Sequence, residues 1–417
     1  MNRSFLPLLI VIQGFASYGL GEDWPTWRGA QGDGSWQASV SEILPSAGLS
    51  KHWKAELDPG YSGITVSEGM VFTMDRPAQE KENESERVIC LDAISGDRLW
   101  EYSYPVRYDS LDYGKGPRAS ITIIGELAYG LGAMGDAFCL EAKTGKLVWE
   151  RNLAMEENCK APIWGFAASP LSSGDEILYH IGAQPLGAVV ALNQKTGVTH
   201  WKVGKDGMAG YASPLVLALG GQTQLVCWGP NKIMGLPVGG GRELWSVPYE
   251  VKYGVSIAQP LFREGIVLVC GYWNGSRAIR LNAESGDAEL LWSEEDDLRG
   301  LMAQPLYRDG VCYLLDRTHG LTAFELKTGK ILWRDGHQLT EAGRNPHCSL
   351  VWTDMQKGDA LALNAEGELV FLNLNPKEYH EYWREQVIGK TWAHPAFSDN
   401  SIFVRDDRQL IRWELPN

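Results

Sequence analysis

Apolar and polar positions alternate with a period of two in short runs such as Glu176-Ile177-Leu178-Tyr179-His180. They merge into continuous apolar runs in stretches such as Gly265-Ile266-Val267-Leu268-Val269-Cys270. Period two is the signature of a strand, and a short unbroken apolar run fits a strand buried on both faces. These runs belong to a repeat. A Gly is followed four positions later by Trp at Gly96/Trp100, Gly145/Trp149, Gly197/Trp201, Gly241/Trp245 and Gly329/Trp333, with two extra residues at Gly286/Trp292. Five positions before each Gly stands an apolar residue: Leu91, Leu140, Leu192, Leu236, Leu281 or Phe324. The pattern predicts a hairpin whose tight turn needs the positive φ that Gly supplies, with Trp on the returning strand. Lys143-Thr144-Gly145-Lys146 has a fragment of a phosphate-loop string, but the full Gly-rich spacing is absent and its setting is a hairpin.

A second marker precedes each hairpin: Ser169-Pro170-Leu171, Ser213-Pro214-Leu215, Gln259-Pro260-Leu261, Gln304-Pro305-Leu306 and His394-Pro395-Ala396. These prolines are 44, 46, 45 and 90 residues apart, and Cys348-Ser349-Leu350 fills the long interval. Marker, two alternating segments and hairpin make about four strands in ~45 residues, the size of a propeller blade. The anchors Trp53, Trp100, Trp149, Trp201, Trp245, Trp292, Trp333 and Trp383 count eight blades. The segment from Trp392 to Pro416 lacks a Gly–Trp hairpin, and its fourth strand is expected from residues 50–57. That pairing closes the ring and removes exposed sheet edges. The prediction is therefore an all-β fold, an eight-bladed β-propeller of four-stranded antiparallel blades.

The N-terminus reads as a charged start, an apolar stretch from Phe5 to Phe15 and small residues to Gly21, which matches a secretory leader. The expected organisation is a signal peptide at 1–21, a lead-in at 22–48 and one propeller at 49–417, exported to the periplasm or secreted without membrane insertion. The formal charge of −14 and the lack of a basic tract argue against nucleic acid as a partner. Of the seven cysteines, Cys90, Cys139, Cys227, Cys270 and Cys312 sit in apolar runs and read as small core residues. The charged stretch Asp75–Arg87 and the acidic run Glu294–Asp297 read as solvated loops.

The hairpin Ala191-Leu192-Asn193-Gln194-Lys195-Thr196-Gly197, ending at Trp201, resembles the pyrroloquinoline-quinone-like β-propeller repeat family. The opening Asp23-Trp24-Pro25-Thr26-Trp27-Arg28-Gly29 is similar to the lead-in before that family's first blade. The resemblance spans nearly the whole chain and implies the fold; function follows only from the site. Quinone-binding members stack the cofactor between a Trp and a disulfide of adjacent cysteines, hold Ca²⁺ with carboxylate and amide oxygens, and use an Asp base. This chain has no adjacent Cys pair, and no Glu/Asn/Asp set matches the calcium ligands. No cofactor is expected. Pyrroloquinoline quinone and Ca²⁺ enter only under the alternative that the chain is a dehydrogenase of an alcohol or sugar.

No catalytic or metal-ligating constellation stands out, since the eight His are scattered singly. His347 and His394 begin strands in neighbouring blades and read as hydrogen-bonded structural groups rather than ligands. In a propeller, residues at the innermost strand starts converge on one mouth of the central channel. Here they are Tyr61, Arg118, Trp164, Tyr211, Tyr253, Arg299, His347 and Trp392. Aromatic rings with two guanidinium groups suit a protein segment or a small polar ligand, while inter-blade packing around a plugged channel is the competing reading. The expected role is thus a binding or scaffolding module, a monomer or part of a larger assembly, by analogy with the lipoprotein propeller of outer-membrane β-barrel assembly.

Overall fold

The computed structural model describes residues 23–77, 84–108, 111–114, 116–300 and 302–416; the signal peptide expected at 1–21 lies outside them. Thirty-two strands, β1–β32 in chain order, form eight four-stranded antiparallel sheets arranged as the eight blades. The strands nearer the axis are sandwiched between neighbouring blades, so both faces are apolar: β19 (Ile266–Gly271) and β27 (Asp359–Asn364) are buried at every position. The outermost strands face solvent on one side, as in β5 (Arg98–Pro105).

The Gly of the repeat has two jobs. At Gly96 and Gly145 φ is +76° and +70°, and a Cβ there would lie 2.6 and 2.5 Å from the ring of the preceding blade's Trp53 and Trp100. The same indoles donate across the seam, Trp53 Nε1 to Ala93 O at 3.0 Å and Trp100 Nε1 to Ala142 O at 3.0 Å. Trp149, Trp292 and Trp333 repeat this bond to the next blade's hairpin. Trp201 and Trp245 differ, bonding Glu176 and Gln224 of their own blades. A bulge beside the Trp recurs in most blades, for example between Cys90 and Leu91, where Leu99 is the extra residue.

The ring closes as the sequence predicts. β1 (Ser50–Glu56) pairs antiparallel with β32 (Gln409–Glu414), joining the N-terminal segment to β31 (Ser401–Arg405) and β30 (Ala396–Ser398) in one sheet. The lead-in does more than precede the ring. Trp24 bridges Val66, Ile123 N donates to Pro25 O, Asp33 pairs with Arg263 at 3.1 Å, and Trp36 N donates to Trp352 O. These contacts span blades on opposite sides, so residues 23–36 cross the axis and floor the channel.

The charged stretch Asp75–Arg87 is not a solvated loop at its two ends, which corrects the sequence reading. Asp75 and Glu86 are buried, Arg87 pairs with Asp75 at 2.8 Å, and Arg76 pairs with Glu84 at 3.0 Å. Asp75 ends β3 (Met70–Asp75) and Glu86 and Arg87 lie on β4 (Ser85–Asp92), inner strands where a polar group needs partners: Asp75 has Arg87, and Glu86 accepts from the Tyr104 and Tyr108 hydroxyls. Glu80, Lys81 and Glu82 lie outside the described residues. Among the described residues no helix is long and apolar enough to cross a membrane.

Candidate functional site

The residue before the strand-start proline points to the axis and ties blades together. Ser120 N donates to Ser169 Oγ at 3.0 Å, Ser169 N to Ser213 Oγ at 2.9 Å, and Gln259 N to Gln304 Oε1 at 2.6 Å. Ser349 Oγ and His394 Nδ1 meet at 3.1 Å. Gly63 leaves this belt its room, since a Cβ there would come within 2.5 Å of Ser120 Oγ.

Above the belt lies a chamber of about 150 Å³. Its wall is a chain of rings: Tyr61 stacks on Trp392 at 6.0 Å, Tyr113 meets Trp392 at 6.3 Å and Trp164 at 5.3 Å, and Trp164 packs on Tyr211 at 5.3 Å. Trp27 of the lead-in closes the base, edge-on to His394 at 5.3 Å. Arg118 lies 5.2 Å over Tyr61 and donates to the Gly114 carbonyl at 2.7 Å. It also donates to the Gly116 carbonyl; it makes no ion pair among the described residues, and Glu86 is the carboxylate that acts on its charge.

Of the eight residues expected at the mouth, Tyr61, Arg118, Trp164, Tyr211, His347 and Trp392 line this chamber together. Tyr253 does not; it is 62% exposed and lines an adjoining groove of about 310 Å³ with Trp273, Tyr113 and Trp164. Arg299 turns away, its guanidinium donating to Glu295 O at 2.9 Å. Sequence reasoning overlooked Trp27, Tyr113, Asn345 and the belt residues Ser169, Ser213 and Gln304 as lining. The X-Pro marker carried the signal for the last three; nothing local marked Trp27, which arrives from outside the repeat. Tyr113 and Tyr253 both hold φ near +60° at the mouth, a conformation costly for an aromatic residue and common at binding sites.

The two histidines differ from the hydrogen-bonded reading in one respect. His394 has its serine partner, but His347 is buried with neither ring nitrogen bonded. Burial pushes the His347 imidazole down to about 4. Burial also holds His394 well below the usual range, with His347 and the nearby Arg28 adding to it. Both rings are neutral at pH 7. Trp164 Nε1 is a second buried group without a partner. On a second side the mouth widens into a groove of about 420 Å³ that carries Glu341, Glu366, Asp406 and Asp407 beside Arg344 and Lys390.

Fold and site together define an eight-bladed β-propeller with an aromatic funnel floored by its own N-terminal segment. A family model described as outer membrane protein assembly factor BamB matches residues 45–179, 85–335 and 240–377, and the chain belongs to that family. The chain is 25% identical to the BamB of Moranella endobia (strain PCIT) over 364 residues, 83% of each protein. The solved BamB of Moraxella catarrhalis superposes with a TM-score of 0.57 at 17% identity, covering 88% of this chain and 100% of that one. The quinohemoprotein alcohol dehydrogenase of Comamonas testosteroni superposes with a TM-score of 0.66 at 12% identity, covering 94% and 80%. These structural likenesses are of fold.

The chamber does not fit a quinone held with a divalent cation. No carboxylate is found among its described lining residues, its amide oxygens come from Gln304 and Asn345, and the Gln304 oxygen already accepts from Gln259. None of the seven cysteines is in a disulfide or lines the chamber. A hard divalent ion needs several oxygen ligands, including charged ones.

Proposed function

We propose that this chain is an exported binding propeller of outer-membrane protein assembly, working in the periplasm or outside the cell, whose funnel captures a protein segment or small ligand. Membership of the BamB family supports the assembly role. The observation that carries the binding site is the ring wall of Tyr61, Tyr113, Trp164, Tyr211 and Trp392 around Arg118, continuous with two grooves. The absence of a carboxylate from the described chamber wall weighs against the alcohol or sugar dehydrogenase alternative.

Purified protein probed against an array of unfolded membrane-protein peptides tests this. Wild type is expected to retain a subset of peptides that Trp164→Ala and Trp392→Ala lose while melting within a few degrees of wild type. Equal retention by both variants contradicts the funnel as the recognition face. Dye-linked alcohol oxidation on adding pyrroloquinoline quinone and Ca²⁺ contradicts the noncatalytic reading.

A further inference from the structure

We infer that the groove beside the chamber docks an acidic polypeptide segment, its carboxylates along Lys252, Arg317 and Arg344 and an apolar side chain among Tyr113, Tyr253 and Trp273. This rests on the funnel being the binding site and names the kind of segment that enters it.

The groove is built before any segment arrives. Trp273 stands edge-on to Tyr272 at 4.5 Å and to Tyr253 at 6.4 Å, and the Tyr272 hydroxyl donates to the Arg344 carbonyl at 2.7 Å. Tyr113 and Trp164, 5.3 Å apart, join the groove to the chamber. Rings already fixed in place lose little freedom on binding. The groove's volume of about 310 Å³ is twice that of a cavity that takes up benzene, room for about two ring-sized side chains. Apolar surface is open to water here, with Tyr253 62% exposed, Tyr113 43% and Ile163 40%. Exposed apolar surface rimmed by charge marks a contact with another molecule.

Charge decides the class. Lys252 Nζ lies 5.2 Å from the ring centres of both Tyr253 and Trp273, and the Arg317 guanidinium lies 5.4 Å from Trp273 and 4.3 Å from Tyr272. Burial raises the Tyr272 hydroxyl pKa, and Arg317 and Arg344 are the two cations that oppose it. The cations therefore form a row, Lys252 and Arg317 meeting at Trp273, Arg317 and Arg344 at Tyr272. None of the three makes an ion pair among the described residues. The acidic run on the neighbouring connection is matched to other cations: Glu295 to Arg277 at 4.0 Å, Asp296 to Arg299 at 3.5 Å and Asp297 to Arg334 at 2.7 Å. Asp112 is the one carboxylate among the groove's described lining residues, and Glu250, close in sequence to Lys252, makes no ion pair with it.

A basic segment meets three cations here. A purely apolar segment strips water from Lys252 and Arg317 and returns no partner. A long polyanion such as nucleic acid is repelled by the chain's net charge of −14, whereas a few carboxylates close to the row feel mainly the local cations. An extended segment presents alternate side chains on one side, so Asp-Phe-Glu sets two carboxylates along the row and turns its ring the other way, into the groove.

Isothermal titration of the full chain tests the inference with tri-galacturonate and with three hexapeptides blocked at both ends. The peptides are the acidic Ser-Asp-Phe-Glu-Phe-Ser, its neutral isostere Ser-Asn-Phe-Gln-Phe-Ser and the basic Ser-Lys-Phe-Lys-Phe-Ser. At about 0.05 M salt the acidic peptide is expected to bind at least tenfold more tightly than the neutral one, with the basic one weakest, and the preference is expected to shrink at about 0.5 M salt. Lys252→Gln combined with Arg317→Gln is expected to bring the acidic peptide down to the neutral peptide's affinity and to leave the neutral peptide unchanged. Tyr253→Gly, which adopts the φ of 61° without strain, is expected to weaken both at least fivefold. Equal affinity of acidic and neutral peptides, no binding of the acidic one at millimolar concentration, or acidic binding that survives both variants overturns the inference. Tri-galacturonate binding more tightly than the acidic peptide overturns the polypeptide and assigns the row to an acidic glycan. If acidic and neutral peptides bind equally and Trp164→Ala and Trp392→Ala weaken both, the acidic class is wrong and the funnel reading stands. If binding of every peptide survives Trp164→Ala and Trp392→Ala, the funnel reading itself fails.

Discussion

His347 is neutral because burial makes its charged form expensive, and that has a measurable pH signature. Its folded-state value of about 4 lies below the ordinary His value of about 6.5. The unfolded chain therefore binds more protons in this window, and the stability contributed by the neutral ring is present above pH 6.5 and lost as pH falls towards 4. Between pH 7 and 4.5 this amounts to about 2 kcal/mol. Denaturant unfolding at the two pH values is expected to show a smaller acid loss in His347→Gln than in wild type by that amount; identical losses contradict a neutral buried imidazole. At this scale the sequence was partly legible. The strand-start rule located six lining residues because the repeat fixes where each inner strand begins. It misplaced Tyr253, which sits exposed in a positive-φ turn, and Arg299, whose guanidinium is held by the Glu295 carbonyl, and it had no means of placing Trp27.

The repeat's Gly and Trp explain how blades adhere to one another. Gly145 holds φ +70° with a would-be Cβ 2.5 Å from the Trp100 ring, so Gly145→Ala meets backbone strain and a clash at once. A loss of about 1–3 kcal/mol is expected in chemical denaturation; a neutral result contradicts the seam. Trp149 is 8% exposed and donates to Gln194 O at 2.8 Å, so Trp149→Ala is expected to cost about 3–5 kcal/mol. Among the anchors, Trp53, Trp149, Trp245 and Trp383 are buried, whereas Trp100, Trp201, Trp292 and Trp333 are half-buried. The hairpins were readable because Gly and Trp repeat at fixed spacing. The seam was not, because it joins residues about one blade apart in sequence, such as Trp53 with Gly96.

For the molecule as a whole, closure between residues 50–56 and 409–414 makes both termini essential to one blade. Removing residues 392–417 takes away three strands of that blade and the chamber residues Trp392 and His394, and exposes two blade faces. Loss of the cooperative thermal transition is expected, and a transition unshifted from wild type contradicts closure. Eight blades and their closure were legible from spacing alone. The crossing of residues 23–36 beneath the axis was not, since those residues lie outside the repeat and bond blades at both ends of the chain. That crossing leaves the funnel mouth as the open side, where the aromatic wall and both grooves meet. Hydrogen–deuterium exchange on the full chain, with and without a peptide retained from the array, tests that face most directly. Added protection is expected within 111–118, 161–169, 253–257, 340–347 and 390–394. Protection confined to the outer strands, such as Arg98–Pro105 and Leu147–Asn152, would contradict the funnel as the site of recognition.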